Sequence, residues 1–395
     1  MNSRKKIMVL GLDGCANLGD QAIVDCTTKL IKKSLEELHK ETIYDLEIID
    51  FTLGFELGKK RGIQKAKKEV LYALPAAFKE SVKEKYIRYK AIKYASSKID
   101  KDVAAVIFAG GGIIKYKYQK FYIFIDAFVK IAEKMKIPVM FSGVGIEGYD
   151  CKDKRCNLLE KSLNCTCVKT ISTRDDIYIL KQKYLINNSA CQMLRVSDPV
   201  CNIAELFGVS KKSKSNVIGL GISRFEIFSD NGVSFERTQV LELWKNLIHY
   251  LDSKHLKWKI FTTGLPCDYE AEMELKDYLG NQYPEEYFLP KPNTVNELLE
   301  DISNFKVTCV CRLHASIISY SLDIPTMGFV WNDKQMMFAE AIGWKQYFLN
   351  REQLKDNITV FNTFNKLNEE DGYKSSLNTY KLSVYNPIKS FVKQI

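Results

Sequence analysis

Residues 305–329, FKVTCVCRLHASIISYSLDIPTMGF, decide how the rest of the chain is read. KVTCVC (306–311) is a short alternating run that reads as a buried strand. An apolar, helix-like segment follows, then Ile324-Pro325 and a second apolar run, TMGFV (326–330). Strand, helix and strand in this order are the repeating unit of a parallel sheet. Arg312 and His314 fall where the first strand gives way to the helix, and the chain has only four histidines.

The same alternation runs outward in both directions. Upstream come KIMVLGL (6–12), a helix from about Asp20, DLEIIDF (45–51), VAAVIFAGGG (103–112), a helix over 121–136, IPVMFSGVG (137–145), VKTIST (168–173) and MLRVS (193–197). A polar stretch, KKSKSN (211–216), reads as a linker. A second series then opens with NVIGLGIS (216–223) and continues through WKIFTTG (258–264) and YFLP (287–290), with helices at 236–253, 268–280 and 294–303. Apolar strands separated by helices predict sheets covered on both faces. The expectation is an α/β protein of two Rossmann-like, doubly wound domains facing across a cleft. The first spans 1–210, the second 211–372, and a helix over 373–395 packs back toward the first. Ligands of open α/β sheets bind beyond the carboxyl ends of the strands, so motifs that follow strands are the candidates for chemistry.

Composition narrows the class. The chain has 395 residues, 46% hydrophobic and 27% charged, as soluble globular proteins do. No apolar stretch is long enough to span a bilayer, and the short N-terminal apolar run does not read as a signal peptide. The eleven cysteines are scattered and include no C-x-x-C pair, which predicts reduced thiols and a cytoplasmic location. Charge is concentrated: residues 59–98 hold 13 Lys/Arg against 3 Asp/Glu, a surplus equal to the net +10 of the whole chain. Leu71, Leu74, Phe78, Val82, Tyr86 and Tyr89 recur there at near-helical spacing. A solvated helical hairpin and a basic surface for an anionic partner both fit. A membrane's inner face or a lipid-linked pyrophosphate is the partner expected in the second case; no nucleic-acid motif accompanies the charge.

The strand ends carry the candidate site. GLDGCANLGDQAI (11–23) lacks the dinucleotide and P-loop glycine patterns; Asn17 and Asp20 stand at a helix start, as caps or as ligands of a hydroxyl-rich molecule. In AGGGIIKYKY (109–118), Gly111 and Gly112 permit close approach to backbone and Lys115 adds positive charge. FSGVGIEGYD (141–150) supplies Glu147, and STRDD (172–176) supplies Arg174, a helix-start ion pair or a fork for carboxylate or phosphate. Arg312 and His314 occupy a helix N-terminus, which favours anions and disfavours a cationic histidine that nothing offsets. Lys334 lies in the first turn of a later helix. Cations gathered at strand ends with glycine-rich segments point to a small anionic substrate. No His/Cys/Asp set has metal-ligand spacing.

These residues resemble the polysaccharide pyruvyl transferases. NLGDQAI (17–23), AGGG (109–112), SGVGIEG (142–148), TRDD (173–176), DP (198–199), RLHASIISYSLDIP (312–325), and Lys334 with Phe338 and Gly343 occur in that family's order. R-x-H-A with its small-residue helix, proline and downstream lysine is the most specific part. The resemblance implies a glycosyltransferase-B-like fold and transfer of pyruvate from phosphoenolpyruvate to a sugar hydroxyl pair, giving a ketal and phosphate. One position departs: several members carry an aspartate four residues past the last glycine of GGG, where this chain has Tyr116.

The residues suit that chemistry. Protonating the methylene carbon of phosphoenolpyruvate makes C2 oxocarbenium-like, and histidine is the commonest general acid. His314 is the expected acid, with Arg312 and Arg174 on carboxylate and phosphate, Lys334 as a phosphate partner, and Asp20 or Glu147 as acceptor-side groups or base. Phosphoenolpyruvate is the donor substrate, the acceptor is a glycan, free or lipid-linked, and no cofactor is expected. Two rivals remain. A nucleotide-sugar glycosyltransferase would need an acidic ribose partner such as Glu340; a silent scaffold of polysaccharide assembly would act through 59–98.

Overall fold

The computed structural model describes residues 4–52, 76–117, 119–185, 191–213, 215–280, 282–373 and 377–395. Of the basic segment, 59–75 lies outside the described residues. The chain folds into two compact units: Met1–Cys15, Thr27–Ser197 and Ser383–Ile395 form one, and Ala16–Cys26 with Asp198–Leu382 form the other.

In the first unit the strands are β1 (Lys5–Gly11), β2 (Tyr44–Asp50), β3 (Val103–Lys115), β4 (Val139–Glu147), β5 (Val168–Thr173) and β6 (Gln192–Arg195). They form one sheet in the order β2-β1-β3-β4-β5-β6, and every pairing is parallel. Ile7, Met8, Val9 and Leu10 of β1 are all excluded from solvent, as a strand covered on both faces must be. Helices α1 (Leu18–Glu37), α2 (Ala76–Lys98), α3 (Phe121–Met135) and α4 (Lys154–Leu163) provide the connections. Nearly every side chain from Phe121 to Val129 is buried. Asp126 among them is satisfied by Lys130 at 2.8 Å and the Ser162 hydroxyl at 3.1 Å, since an unpaired charge would be costly there.

The second unit has β7 (Val217–Gly221), β8 (Lys257–Phe261), β9 (Phe305–Val310), β10 (Thr326–Phe329) and β11 (Phe348–Leu349), in the order β11-β10-β9-β7-β8. Helices α5 (Arg237–Ser253), α6 (Pro266–Tyr278), α7 (Val295–Ser303), α8 (Leu313–Ser321), α9 (Asp333–Ala341) and α10 (Asn357–Asn368) surround this sheet. Both sheets are parallel, as expected. Two details differ. YFLP (287–290) follows a 3-10 turn (Glu285–Tyr287) with a single bridge from Phe288 to Ile260 instead of a strand, and β11 is too short to leave a periodic signal.

The units are also cut differently from the sequence expectation, which places the divide at 210/211. The boundary lies between Ser197 and Asp198, because Val200, Cys201, Ile203 and Ala204 are buried in the second unit's core. Asn202 and the Ala204 backbone are tied there by hydrogen bonds to Lys381 and Ser321. Residues 16–26 also count with that unit, so α1 contributes its first part to one core and its remainder to the other. The last helix, α11 (Tyr385–Gln394), lies with the first unit: Lys40 donates to the Val392 and Ile395 carbonyls and Lys389 pairs with Glu37 at 2.6 Å. Among the described residues, no helix is long and apolar enough to cross a membrane.

Candidate functional site

In the second unit the site grows from the end of β9. This strand lies in the middle of its sheet; its side chains are buried, and Cys311 after it is buried as well. Burial pushes the Cys311 thiol up to about 12 and Cys309 up with it, so both are packing residues with protonated sulfur. All eleven cysteines are free. The Cys311 carbonyl accepts from Trp331 Nε1 at 2.7 Å and Gln335 Nε2 at 2.8 Å. Gln335 is itself fully buried and also donates to the Phe329 carbonyl at 3.0 Å. The turn that presents Arg312 is thereby fixed from the β10–α9 side.

Arg312 is the N-cap residue of α8, with extended backbone and no capping by its own side chain. Its guanidinium forks onto Asp268 in the first turn of α6: Nε to Oδ2 is 2.9 Å and Nη2 to Oδ1 is 2.5 Å. Asp268 has no solvent exposure and also accepts from the Arg224 backbone N–H at 3.0 Å. A charge buried this deeply is tolerated because three donors meet it. The arrangement aims the planar guanidinium and leaves its remaining donors for a second anion, since arginine has five.

His314 lies one turn-step further, at the start of α8. Its Nε2 is 3.8 Å from Oδ2 of Asp198. Asp198 is buried and uses its other oxygen to cap the turn Pro199–Asn202 through Val200 N–H at 2.9 Å. On the opposite side is Gly19: a Cβ there would sit 2.2 Å from Nδ1 of His314. Only glycine lets the first turn of α1 approach the ring this closely. That turn is built locally. Asn17 Oδ1 accepts from Gly19 N–H at 3.2 Å, as an N-cap does, and its amide donates to Asp20 at 2.8 Å. Leu18 N–H reaches the Thr263 carbonyl at 3.4 Å.

Asn17 and Asp20, expected on the first domain, therefore belong with Arg312 and His314. Lys334 is half-buried in the first turn of α9 in the same unit. The buried hydroxyls of Thr262, Thr263 and Ser316 have no hydrogen-bond partner among the described residues. Thr262 and Thr263 follow β8 directly and Ser316 lies in the first turn of α8, so each strand end retains open hydrogen-bonding capacity.

The first unit holds the other candidates. Gly111 and Gly112 do not end the strand, as the run VAAVIFAGGG (103–112) suggests; they lie within the thirteen-residue β3, which continues to Lys115. Gly110 and Gly111 have positive φ (26° and 74°) and the β3–β4 register shifts between Gly111 and Ile114. The run is a bulge, and Gly145 of β4 lets the two strands approach there: a Cβ on Gly145 would lie 3.2 Å from the Gly112 Cα. Lys115 and Glu147 face each other across that pair at 3.6 Å, and the Lys115 ammonium lies over the Phe121 ring. Arg174 follows β5, its backbone N–H donating to Val144 at 3.1 Å. The adjacent Asp176 caps the next turn, and Asp175 accepts from Ile146 N–H at 2.7 Å. Tyr116, at the departing position, is buried with the Lys117 and Arg155 cations over its ring. Among the described residues no three His, Cys, Asp or Glu side chains are grouped to hold a metal.

Sequence reasoning missed Asp268 and Gln335 as site residues and did not assign Asp198 a role. An acid in a helix's first turn reads as a capping residue, and nothing in the sequence joins position 268 to 312.

Parallel sheets of six and five strands, each with helices between its strands, define an α/β protein of the glycosyltransferase-B type. Solved structures of this shape include UDP-GlcNAc 2-epimerase from Methanocaldococcus jannaschii (12% identity, 98% of this chain and 99% of that one, TM-score 0.58). Two more are UDP-GlcNAc 2-epimerase from Neisseria meningitidis bound to UDP-GlcNAc (12%, 98% and 100%, 0.58) and α,α-trehalose 6-phosphate synthase from Burkholderia multivorans (10%, 100% and 97%, 0.54). At such identities the likeness concerns the fold alone. No curated protein matches the chain. The chain belongs to the polysaccharide pyruvyl transferase family, which matches it over residues 17–333.

Proposed function

We propose that the chain transfers pyruvate from phosphoenolpyruvate to two hydroxyls of a polysaccharide unit or its lipid-linked precursor. The observation that carries this reading is the β9–α8 junction, where an arginine aimed by Asp268 and a histidine held between Gly19 and Asp198 stand at a helix N-terminus. His314 gives a proton to the methylene carbon, and C2 becomes electrophilic. The first hydroxyl adds to C2 and passes its proton to a carboxylate, for which Asp20, next to Gly19, is our assignment. The second hydroxyl then attacks C2 as the C2–O bond to the phosphate group breaks; inorganic phosphate leaves, the hydroxyl's proton passes to His314, and a ketal remains. Arg312 holds an acid group of the donor through the donors Asp268 does not use, with Lys334 and the α8 N–H groups on the phosphate. In the first unit, Glu147 is an acceptor-side candidate and Arg174 a further candidate for the donor's carboxylate or phosphate. The reading calls for no cofactor.

A nucleotide-sugar transferase on this fold is the second reading, suggested by structural neighbours named for UDP-GlcNAc. Its candidate ribose ligand, Glu340, is exposed and engaged by Lys345 at 2.7 Å, which does not favour it. A thermal-shift comparison of phosphoenolpyruvate with UDP-sugars, followed by phosphate release in the presence of glycan acceptors, separates the readings. Phosphoenolpyruvate is expected to stabilise the protein, and Arg312→Ala to abolish that shift. Stabilisation by UDP-sugars alone would reject the proposal. With donor bound but no turnover on any acceptor, the chain would be a scaffold.

A further inference from the structure

Helix α2 is apolar on two opposite faces, and the core of its unit covers only one. Ile87, Ala91 and Ala95 are buried, and Tyr94 beside them packs edge-on to Phe128 at 5.9 Å and donates to the Asp50 carbonyl. Facing away, Val82 is 37% exposed, Tyr86 53%, Tyr89 61% and Ile92 44%. At steps of three and four these fall on one side of a helix. Lys83, Lys85 and Lys93 are exposed among them, and the Lys90 ammonium lies over the Tyr86 ring. The one carboxylate of residues 82–98, Glu84, is off this side and paired with Arg88 at 2.7 Å.

A helix whose second face is also apolar needs a second partner. This face offers two tyrosines, two aliphatic side chains and a rim of lysines with no acid. Tyrosine rings suit the boundary between headgroups and acyl chains, and lysines keep their ammonium groups among lipid phosphates while their stems cover apolar surface. We infer that the outward face of α2, from Val82 to Lys93, docks on a bilayer that carries anionic lipid. A groove for one phosphate would need converging donors; here the lysines are spread along a convex line, as a planar anionic surface requires. The inference is independent of the donor chemistry proposed above, since docking is read without phosphoenolpyruvate.

The full chain is floated with vesicles of phosphatidylcholine alone and of phosphatidylcholine with about a quarter phosphatidylglycerol, at about 0.15 M salt. Binding is expected to the mixed vesicles only. Lys83→Gln/Lys85→Gln/Lys93→Gln should weaken it roughly a hundredfold, about fivefold per lysine. Tyr86→Ser/Tyr89→Ser should weaken it about tenfold or more, with circular dichroism unchanged because both rings are exposed. Failure of the wild-type chain to float overturns the inference, as does floatation of either variant equal to that of the wild type. Tighter binding to a short RNA duplex than to the mixed vesicles overturns it too.

Discussion

His314 meets a carboxylate on one side and bare backbone on the other. A cationic histidine at a helix start needs an anion to offset it, and the sequence leaves that task to bound substrate. Asp198, 3.8 Å away, supplies a fixed negative charge instead. It acts through the ring, as a positioning residue. Asp198→Asn keeps the shape and removes the charge, so turnover should fall by about tenfold or more while KM for the proposed donor, phosphoenolpyruvate, changes little; Asp198→Glu should restore part of it. Steady-state kinetics with both variants check this, and a rise in KM alone would make Asp198 a substrate-binding group. Glu272 yields a prediction of another kind. It is fully buried, neither oxygen has a hydrogen-bond partner among the described residues, and burial raises its carboxyl from 4.5 to about 8. Between those values the native state keeps a proton that the unfolded chain has lost, so this group lowers stability as pH rises through the window. At about 1.4 kcal/mol per pKa unit the loss reaches the order of 5 kcal/mol above pH 8. Glu272→Gln should flatten that dependence, seen as urea midpoints that converge at about pH 4 and diverge at about pH 9.

Among the elements, the first turn of α1 shows why NLGD reads as it does. Asn17 caps, Leu18 anchors to the strand end after β8, and Gly19 leaves room for the histidine ring. Gly19→Ala adds one methyl where a Cβ would meet the ring, so the ring or the helix must shift, at a cost of about 1–3 kcal/mol. Turnover is expected to drop further than the melting temperature suggests, because the displaced group is the general acid proposed above; calorimetry beside kinetics distinguishes this from simple unfolding. Much of this level was legible. Strands such as KIMVLGL and KVTCVC announce themselves by composition, and the strand ends located Arg312 and His314. The glycine run of β3 was misplaced because a bulge depends on the register of β4, which local sequence does not carry. Asp268 stayed hidden for the same reason: its significance depends on a guanidinium forty-four positions away.

For the whole molecule, the alternation of strands and helices was enough to expect two parallel sheets, whereas the allocation of segments to units was not. Linker composition at 211–216 marks where the chain is polar, but the unit boundary follows buried side chains such as Val200 and Ile203. The C-terminal helix follows the same logic: Ile388, Phe391 and Val392 of α11 are buried with the first unit. Phe391→Ala should therefore cost about 3–5 kcal/mol, and urea unfolding followed by probes in each unit should show the loss in the first unit. The division of α1 between the two cores has a consequence for synthesis. A ribosome delivers residues 27–197 well before 383–395, so the first unit must wait with an uncovered apolar surface until α11 leaves the exit tunnel. The second unit receives its earliest piece, 16–26, almost two hundred residues ahead of the rest. Neither unit can be completed while the other is still unmade, and a chaperone that shields nascent chains would meet its largest demand between these two moments.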